Sequence, residues 1–450
     1  MEELNRQQTM PALALRGLTV FPQMLLHFDV GRQASIQALD ESMASGQPIF
    51  LVAQRELAVE SPQEKDLYSI GTICNVRQIL RLPGDNVRVM VEAGFSPLTA
   101  AVMCSRGYTE LNEARDFLAA NEPLSDPFTL LDMDKAARRV RRAIDRREQI
   151  CVFGDYDVDG ITATCLLTDF LRRQGAHVVS YIPARLEEGY GLNEMALHSL
   201  REQNVQLIVT VDCGITANDE AALCRALGME LVITDHHECK SELPEAVAVV
   251  DPHRLDQPQP ASELAGVGVA FKLACAIGGD TASLLREYCD FLCLGTVADV
   301  MPLTGENRTM VAEGLKSLEN PKRVGLAALM AECGVGHGRI TAGTIGYTLA
   351  PRINAAGRMG QVDVATELFL TTDAQRAVEL AAELCRMNRK RQEIEAEIYR
   401  EAASMLPTGG RPEAIVLASE RWHQGVVGIV ASRMAEEYSC PTFLICLDGD

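Results

Sequence analysis

The 450-residue chain reads as an α/β protein built on a parallel sheet, with a small β-rich domain ahead of it. Two observations carry this reading. Between residues 149 and 250, short continuous apolar runs alternate with amphipathic helical patterns, the texture of strands covered by helices on both faces. Residues 1–92 instead show brief apolar runs broken by turn residues.

In the amino-terminal part the runs are Leu13 to Leu15, Met24 to Phe28, Ile49 to Val52 and Val87 to Val91. Phe21-Pro22 and Pro83-Gly-Asp-Asn86 mark turns between them, and Ala34 to Met43 is helical. No cluster of catalytic groups lies there. Residues 93–148 turn helical and end in a segment with six arginines between Arg138 and Arg147. With Ala137, Val140 and Ile144 on one side, that segment reads as a solvated helix face rather than a basic binding patch.

The alternating region follows. Strands are expected at Ile150 to Phe153, Val178 to Ile182, Leu207 to Val211, Leu231 to Ile233 and Ala246 to Val250, with helices near 161–174, 193–203 and 217–227. Residues 262–370 read as mainly helical, and 373–406 as one long connecting helix. A new α/β pattern opens with a strand at Ala414 to Val416, a helix from Gly425 to Met434 and a strand at Thr442 to Cys446. It stops mid-element at Asp450, so this last domain reads as truncated.

Composition sets limits on function. Hydrophobic residues make up 47% of the chain, enough for sizeable cores. No run long and apolar enough to cross a bilayer is present, and the acidic Met1-Glu-Glu-Leu-Asn5 is unlike a signal peptide, so a cytoplasmic protein is expected. The 14 cysteines are scattered through apolar helical patterns with no Cys-x-x-Cys pair, which fits buried, reduced thiols and excludes zinc-ribbon spacing. A net charge of -20 argues against coating nucleic acid by bulk electrostatics, while leaving local phosphate binding open. No Gly-x-x-x-x-Gly-Lys-Ser/Thr loop occurs, so no ATP site of that kind is expected. Gly266-Val-Gly268 lacks a preceding strand and has Phe271 at the last small position, and therefore reads as packing rather than a dinucleotide loop.

Chemistry gathers where the strands end. Gly154-Asp-Tyr-Asp-Val-Asp-Gly160 sets Asp155, Asp157 and Asp159 at alternate positions, which an extended backbone would point to one side. Like charges so crowded repel unless a divalent cation sits among them. Asp212 follows the third strand, and Asp235-His-His237 follows the fourth. Each has a bland reading, Asp212 as a helix cap and His236 as a surface histidine. Their coincidence at one edge of one sheet favours a metal site. Asp299, in Gly295-Thr-Val-Ala-Asp-Val-Met-Pro302, closes an apolar helix, where a carboxylate meets the negative end of the helix dipole and needs a cation or donor.

Those four segments, in order, resemble the motifs of the DHH phosphoesterase superfamily. Tyr181-Ile-Pro-Ala-Arg185, Glu188-Gly-Tyr-Gly-Leu-Asn193 and Pro351-Arg-Ile-Asn-Ala-Ala-Gly-Arg358 resemble, more narrowly, the RecJ single-stranded-DNA exonucleases, with the likeness running over residues 95–450. Trp422 to Arg433 resembles the start of the accessory DHHA1 domain. Leu13-Ala-Leu-Arg-Gly-Leu-Thr-Val-Phe-Pro22, Val30-Gly-Arg32 and Asp66 to Thr72 resemble the amino-terminal substrate-binding domain of Lon proteases. The resemblances imply a Lon-N-like β-rich domain (1–92), a helical lead-in (93–148), a DHH phosphoesterase core with a parallel sheet (149–372), a connecting helix (373–406) and the start of DHHA1 (407–450).

They also imply roles. Asp155, Asp157, Asp159, Asp212, His236 and Asp299 would hold two Mn²⁺ or Mg²⁺ ions, with Asp212 bridging. His237 would contact the scissile phosphate or assist the leaving group, and Asp235 would orient its neighbours. Arg185, Arg352 and Arg358 offer phosphate-binding forks, Asn354 a polar contact, and Gly425 to Ser432 a helix opening that presents amides to a phosphate, close packing being the competing explanation for those glycines. The implied activity is 5′→3′ hydrolysis of single-stranded DNA to mononucleotides, in DNA repair and recombination. The implied partners are single-stranded DNA, a single-strand-binding protein, a helicase and a polypeptide ligand of the Lon-like domain, with no membrane and no ATP. Two other readings stay open: a phosphodiesterase of short oligonucleotides or cyclic dinucleotides, and a recruitment protein whose nuclease half is inert.

Overall fold

The central strands between 149 and 250 are mostly apolar because both of their faces are buried, whereas the edge run His177–Tyr181 carries His177 and Ser180 and is only partly buried. In the computed structural model Ile150 and Val152 face one hydrophobic core, while Cys151 and Phe153 face another. Leu207, Val209 and Val211 alternate with Ile208 in the same way. The structure describes residues 9–18, 20, 25–56, 59–81, 87–93, 97–108, 111–184, 188–189, 191–240, 242–258, 263–336, 338, 340–406 and 412–447. The chain divides into two units, residues 1–118 and 119–450.

The first unit holds β1 (Ala12–Leu15), β2 (Leu25–Val30), α1 (Gln33–Ser45), β3 (Ile49–Ala53), β4 (Thr72–Arg81) and β5 (Val87–Ala93). They form a five-stranded sheet in the order β1-β3-β4-β5-β2, with β1 and β3 parallel and the other pairs antiparallel. Leu13, Leu15, Ile36, Leu39, Ile49, Leu51 and Val89 form its core. The sequence reading has no counterpart for β4. A bulge between Val76 and Gln78 shifts its register, and the adjacent polar residues Arg77 and Gln78 break the two-residue alternation that would reveal it. Helices α2 (Pro97–Ser105) and α3 (Leu111–Ala119) follow, with Tyr108 and Phe117 in ring contact at 4.5 Å.

The second unit opens with α4 (Met133–Arg146) and continues with β6 (Gln149–Gly154), α5 (Val158–Arg173), β7 (His177–Tyr181), α6 (Glu194–Glu202), β8 (Leu207–Val211), α7 (Asn218–Ala226), β9 (Glu230–Thr234) and β10 (Ala248–Val250). The sheet order is β10-β9-β8-β6-β7, parallel throughout. Strand β7 lies on one side of β6 and β8 on the other, so the order switches there, and such a switch opens a crevice at the carboxyl ends of the strands. Ala137 and Val140 of α4 are buried, but Arg139 is too. It is held by Glu148 and Glu230, each at 2.6 Å, which corrects the picture of a wholly solvated arginine face.

Helices α8 (Gly266–Gly278), α9 (Thr281–Ala298), α10 (Gly305–Leu318) and α11 (Val324–Glu332) build one wall. Next, α12 (Ala342–Thr344), a π-helical turn (Ile345–Leu349) and α13 (Ala350–Arg358) run on as one segment. Pro351 lacks an N–H and its ring crowds the carbonyl four residues back, which the wider π turn accommodates. Helix α14 (Val362–Leu370) leads into the 32-residue α15 (Ala374–Met405). Parallel strands β11 (Ile415–Ser419) and β12 (Thr442–Cys446) pack with α16 (Gln424–Tyr438) around Trp422, Val426, Val430 and Met434, joined by Ile398 and Ala402 of α15. Among the described residues no helix is long and apolar enough to cross a membrane.

Two glycines test the packing. A Cβ on Gly314 of α10 would run into the Cys289 carbonyl and Cys293 side chain of α9, whereas one on Gly428 of α16 would meet open space. Gly314→Ala is expected to lose about 1–3 kcal/mol through overpacking. Gly428→Ala is expected to gain about 0.5–1 kcal/mol through helix propensity. Urea denaturation followed by circular dichroism measures both.

Candidate metal centre

The acidic segment after β6 is a strand-to-helix turn. Asp155 follows the strand and is buried. Asp157 caps α5, its Oδ1 accepting the Gly160 amide at 3.1 Å. Asp159 lies in the first turn of α5, 1% exposed, and accepts the amides of Gly266 (2.6 Å) and Val267 (2.9 Å) at the start of α8. The expectation of one extended backbone carrying all three carboxylates on one side is therefore corrected. The turn divides them, with Asp155 and Asp157 falling in one group with Asp212, and Asp159 in another with His236 and Asp299.

Asp212 follows β8 with φ 61, a left-handed conformation that aspartate tolerates better than most residues. Gly266 lies so close that a Cβ there would sit 2.5 Å from Asp212 Cβ. The glycine read as packing material thus leaves room for one aspartate and donates its amide to another. His236, after β9, is 7% exposed and no surface residue. Its Nε2 lies 3.0 Å from Asp212 Oδ1, 3.6 Å from Asp299 Oδ2 and 3.7 Å from Asp159 Oδ2. Asp299 terminates α9, its amide donating to the Gly295 carbonyl at 2.9 Å. A Cβ on Gly295 would come within 2.5 Å of Asp159 Oδ1. Asp212 also groups with His236 and His237, and the ligand atoms within each of these three sets lie within 4.8 Å of one another.

Asp235 is buried and accepts the amides of Ile215 (2.9 Å) and His236 (2.7 Å), while His237 Nδ1 bonds to its Oδ1 at 2.8 Å. The His237 side chain stays 48% accessible. Sequence reasoning missed His253. Its Nδ1 bonds to the carbonyl of His236, and Asp251 Oδ1 accepts its amide at 2.6 Å. The signal was present, since Asp251-Pro-His253 is a further acid and histidine directly after a strand of the same sheet.

The electrostatics describe a site that needs positive charge. Burial, then the charges of Asp157 and Asp299, push Asp159 well above the usual carboxylate range. Burial and four neighbouring aspartates do the same to Asp212. Asp299 is raised to about 6 by burial and by Asp157. Burial, aided by His237, lowers His236 to about 4, which keeps it neutral as a metal ligand must be. His237 is raised to about 9, chiefly by its hydrogen bond to Asp235. Burial opposes ionisation of Asp235, but its hydrogen bonds prevail and hold it below the usual value. His236 Nε2 and Asp212 Oδ1, though 3.0 Å apart, make no hydrogen bond with any group among the described residues. Neighbouring ligands of an octahedral cation at about 2.0–2.1 Å stand about that far apart, so these atoms fit a hard divalent cation.

The residues expected to bind phosphate are spread around this centre. Arg352 Nη1 donates to the Thr348 carbonyl in the π turn. Asn354 Oδ1 accepts the Val158 amide at 3.1 Å, which ties α13 to the acidic turn. Gly357 packs against the Tyr156 carbonyl, and Arg358 Nη1 reaches the Gly425 carbonyl at 3.3 Å. For Gly425 the structure corrects the expectation of a phosphate-facing amide. Its N–H donates to His423 Nδ1 at 3.1 Å, and its α-carbon packs on the Arg358 backbone, so close packing explains it. Ser432 is exposed on α16. Arg185 lies outside the described residues.

Aspartates and a histidine pair converging at the carboxyl edge of a parallel sheet define a DHH-type protein, and residues 149–296 match the model of the DHH family, N-terminal domain. The Bacillus subtilis single-stranded-DNA-specific exonuclease RecJ is 41% identical over 376 residues, 83% of this chain and 48% of that protein. The Salmonella typhimurium RecJ is 34% identical over 393 residues, 83% of this chain and 67% of that protein. A crystal structure of exonuclease RecJ bound to manganese superposes with a TM-score of 0.65 at 37% identity, covering 72% of this chain and 82% of that one. Thermus thermophilus RecJ in complex with Mg²⁺ gives 0.61 at 32% identity, covering 78% of this chain and 48% of that one. The chain belongs to the RecJ family. It spans about half the length of the Bacillus subtilis relative. Residues 9–95 match the substrate-binding domain of ATP-dependent protease La (LON). Over 88 residues, 20% of this chain and 11% of that protein, they are 55% identical to the Clostridium acetobutylicum Lon protease.

Adding Mn²⁺ or Mg²⁺ is expected to raise the melting temperature of the second unit, and a chelator to reverse the rise. At a hundredfold excess over the dissociation constant the stabilisation is about 2.7 kcal/mol. Asp212→Asn removes one charge from a mutually repelling set. It is expected to melt at or above the metal-free wild type while losing most of the metal-induced shift, both read by thermal denaturation.

Proposed function

We propose that residues 119–450 hydrolyse single-stranded DNA from its 5′ end to mononucleotides, using two Mn²⁺ or Mg²⁺ ions. The observation that carries this reading is the convergence of Asp155, Asp157, Asp159, Asp212, His236 and Asp299 at one sheet edge, in overlapping groups whose ligand atoms lie within 4.8 Å of one another, in a chain of the RecJ family. Those six side chains would hold the cations; Asp212 and His236 each stand in two of the three groups, and of the two only the carboxylate has a second oxygen to share, which supports Asp212 as the shared ligand. When bound, the cations lower the pKa of a water and offset charge on the phosphate oxygens.

The remaining residues bind and orient. His237, held by Asp235 at 2.8 Å with its ring accessible, meets the scissile phosphate or assists the leaving oxygen. Arg352 and Arg358, on one helix that touches the acidic turn through Asn354 and Gly357, offer guanidinium groups to the neighbouring phosphates. Arg185 belongs to the same set by family resemblance. Single-strand preference and 5′ polarity rest on that resemblance also. So do a cytoplasmic location, a role in repair and recombination, and a helicase and a single-strand-binding protein as suppliers of the strand. Residues 9–95 would take a polypeptide.

With Mn²⁺ and a 5′-labelled single strand, the wild type is expected to release labelled mononucleotide first and to leave a matched duplex uncut. His236→Ala and Asp212→Ala are expected to lose this activity by at least about a hundredfold, as ligand loss at a two-metal site would cause, with unchanged circular dichroism. Preference for a dinucleotide, or a wild type no faster than Asp212→Ala, would overturn the proposal.

A further inference from the structure

Val300 follows Asp299 at the end of α9 with φ 59. The Val300 amide donates to the Val297 carbonyl and the Met301 amide to the Thr296 carbonyl, each at 3.2 Å. This bond pair ends a helix on a left-handed residue, a position where glycine is the usual occupant because it has no Cβ. Helices α1 and α8 follow that rule, ending on Gly46 (φ 66) and Gly279 (φ 81). The other non-glycine residues with positive φ among the described residues are Ala120, Asp132, Arg147, Asn204, Asp212 and Ser439. Val300 alone among them branches at Cβ, the feature that makes the left-handed region most crowded.

The fold gains no packing from this side chain, which is 85% exposed. Strain that persists at a functional site without serving the core serves a state in which another molecule is present. The adjacent residue puts Val300 beside the metal centre, because Asp299 Oδ2 is 3.6 Å from His236 Nε2 there. We infer that Val300 is a substrate-contacting residue, its two methyl groups packing on the sugar or base of the nucleotide whose phosphate is at the metal centre. An aliphatic knob carries no hydrogen-bonding group and so grips any base, as an enzyme that removes successive nucleotides requires. The inference rests on the nuclease reading above.

The test compares wild type with Val300→Gly and Val300→Ala in Mn²⁺, measuring melting temperature, the Mn²⁺ concentration for half-maximal activity, and KM and kcat on single-stranded DNA. Val300→Gly is expected to melt at or above wild type. Both variants are expected to keep the Mn²⁺ half-saturation and to raise KM about fourfold to fifteenfold, the range that one or two lost methyl contacts supply. Unchanged KM in both variants overturns the inference while leaving the nuclease reading intact. A parallel shift in Mn²⁺ half-saturation also overturns it, because Val300 would then act by holding Asp299. A glycine variant that melts below wild type removes the premise of strain. A wild type that cuts no single strand overturns both readings.

Discussion

The metal centre depends on one contact, the carboxylate of Asp159 seated on the first two amides of α8. It places a charge that is 1% exposed where two backbone donors and the positive end of a helix dipole compensate it. The same contact brings α8 against β8, so Gly266 must lack a side chain for Asp212 to fit. Gly295 must lack one for Asp159 to fit. Two aspartates from two parts of the chain thus occupy space that two glycines vacate, and their repulsion is the driving force for taking up a cation.

A second consequence concerns charge balance. The chain carries a net charge of -20, and its proposed substrate is a polyanion. Bulk attraction cannot supply the affinity, so the grip must be local. The groups available are the cations, the histidine beside them and a few arginines whose backbone supports are already in place. Arg352 donates to the Thr348 carbonyl and Arg358 to the Gly425 carbonyl, contacts that hold the two guanidinium groups in place.

The central strands of the second unit were legible because burial on both faces writes itself as apolar runs, and Leu207–Val211 matches residue for residue; Thr442–Cys446 also matches, as a run of mostly apolar residues although none of them is buried. The centre's acids and histidines were legible because each follows a strand or closes a helix. What escaped did so for physical reasons. The first turn of α5 begins at Val158, inside the acidic segment, since an aspartate cap hides a helix start among residues that also make turns. Strand β4 escaped through its bulge. The backbone role of Gly266, the support of His236 by His253 and the bond from Val158 to Asn354 depend on contacts between residues far apart in sequence, which no local pattern records.

Helix α15 is rooted at two places. Its amino half buries Ala377, Leu380, Ala381, Leu384 and Cys385 in the main core, and its carboxyl end buries Ile398 and Ala402 in the small layer around Trp422. Between Asn388 and Ile398 no side chain is buried, and that stretch is braced by its own pairs, Lys390 with Glu393 and Arg391 with Glu395. Such a span behaves as a stiff beam fixed at both ends. Tilting the terminal layer must load the wall that holds α13, and through Asn354 that load reaches the turn carrying Asp155 and Asp157. The terminal layer is thus joined to the wall of the centre by two routes, the α15 beam and the direct contact of Gly425 at the start of α16 with Arg358 of α13.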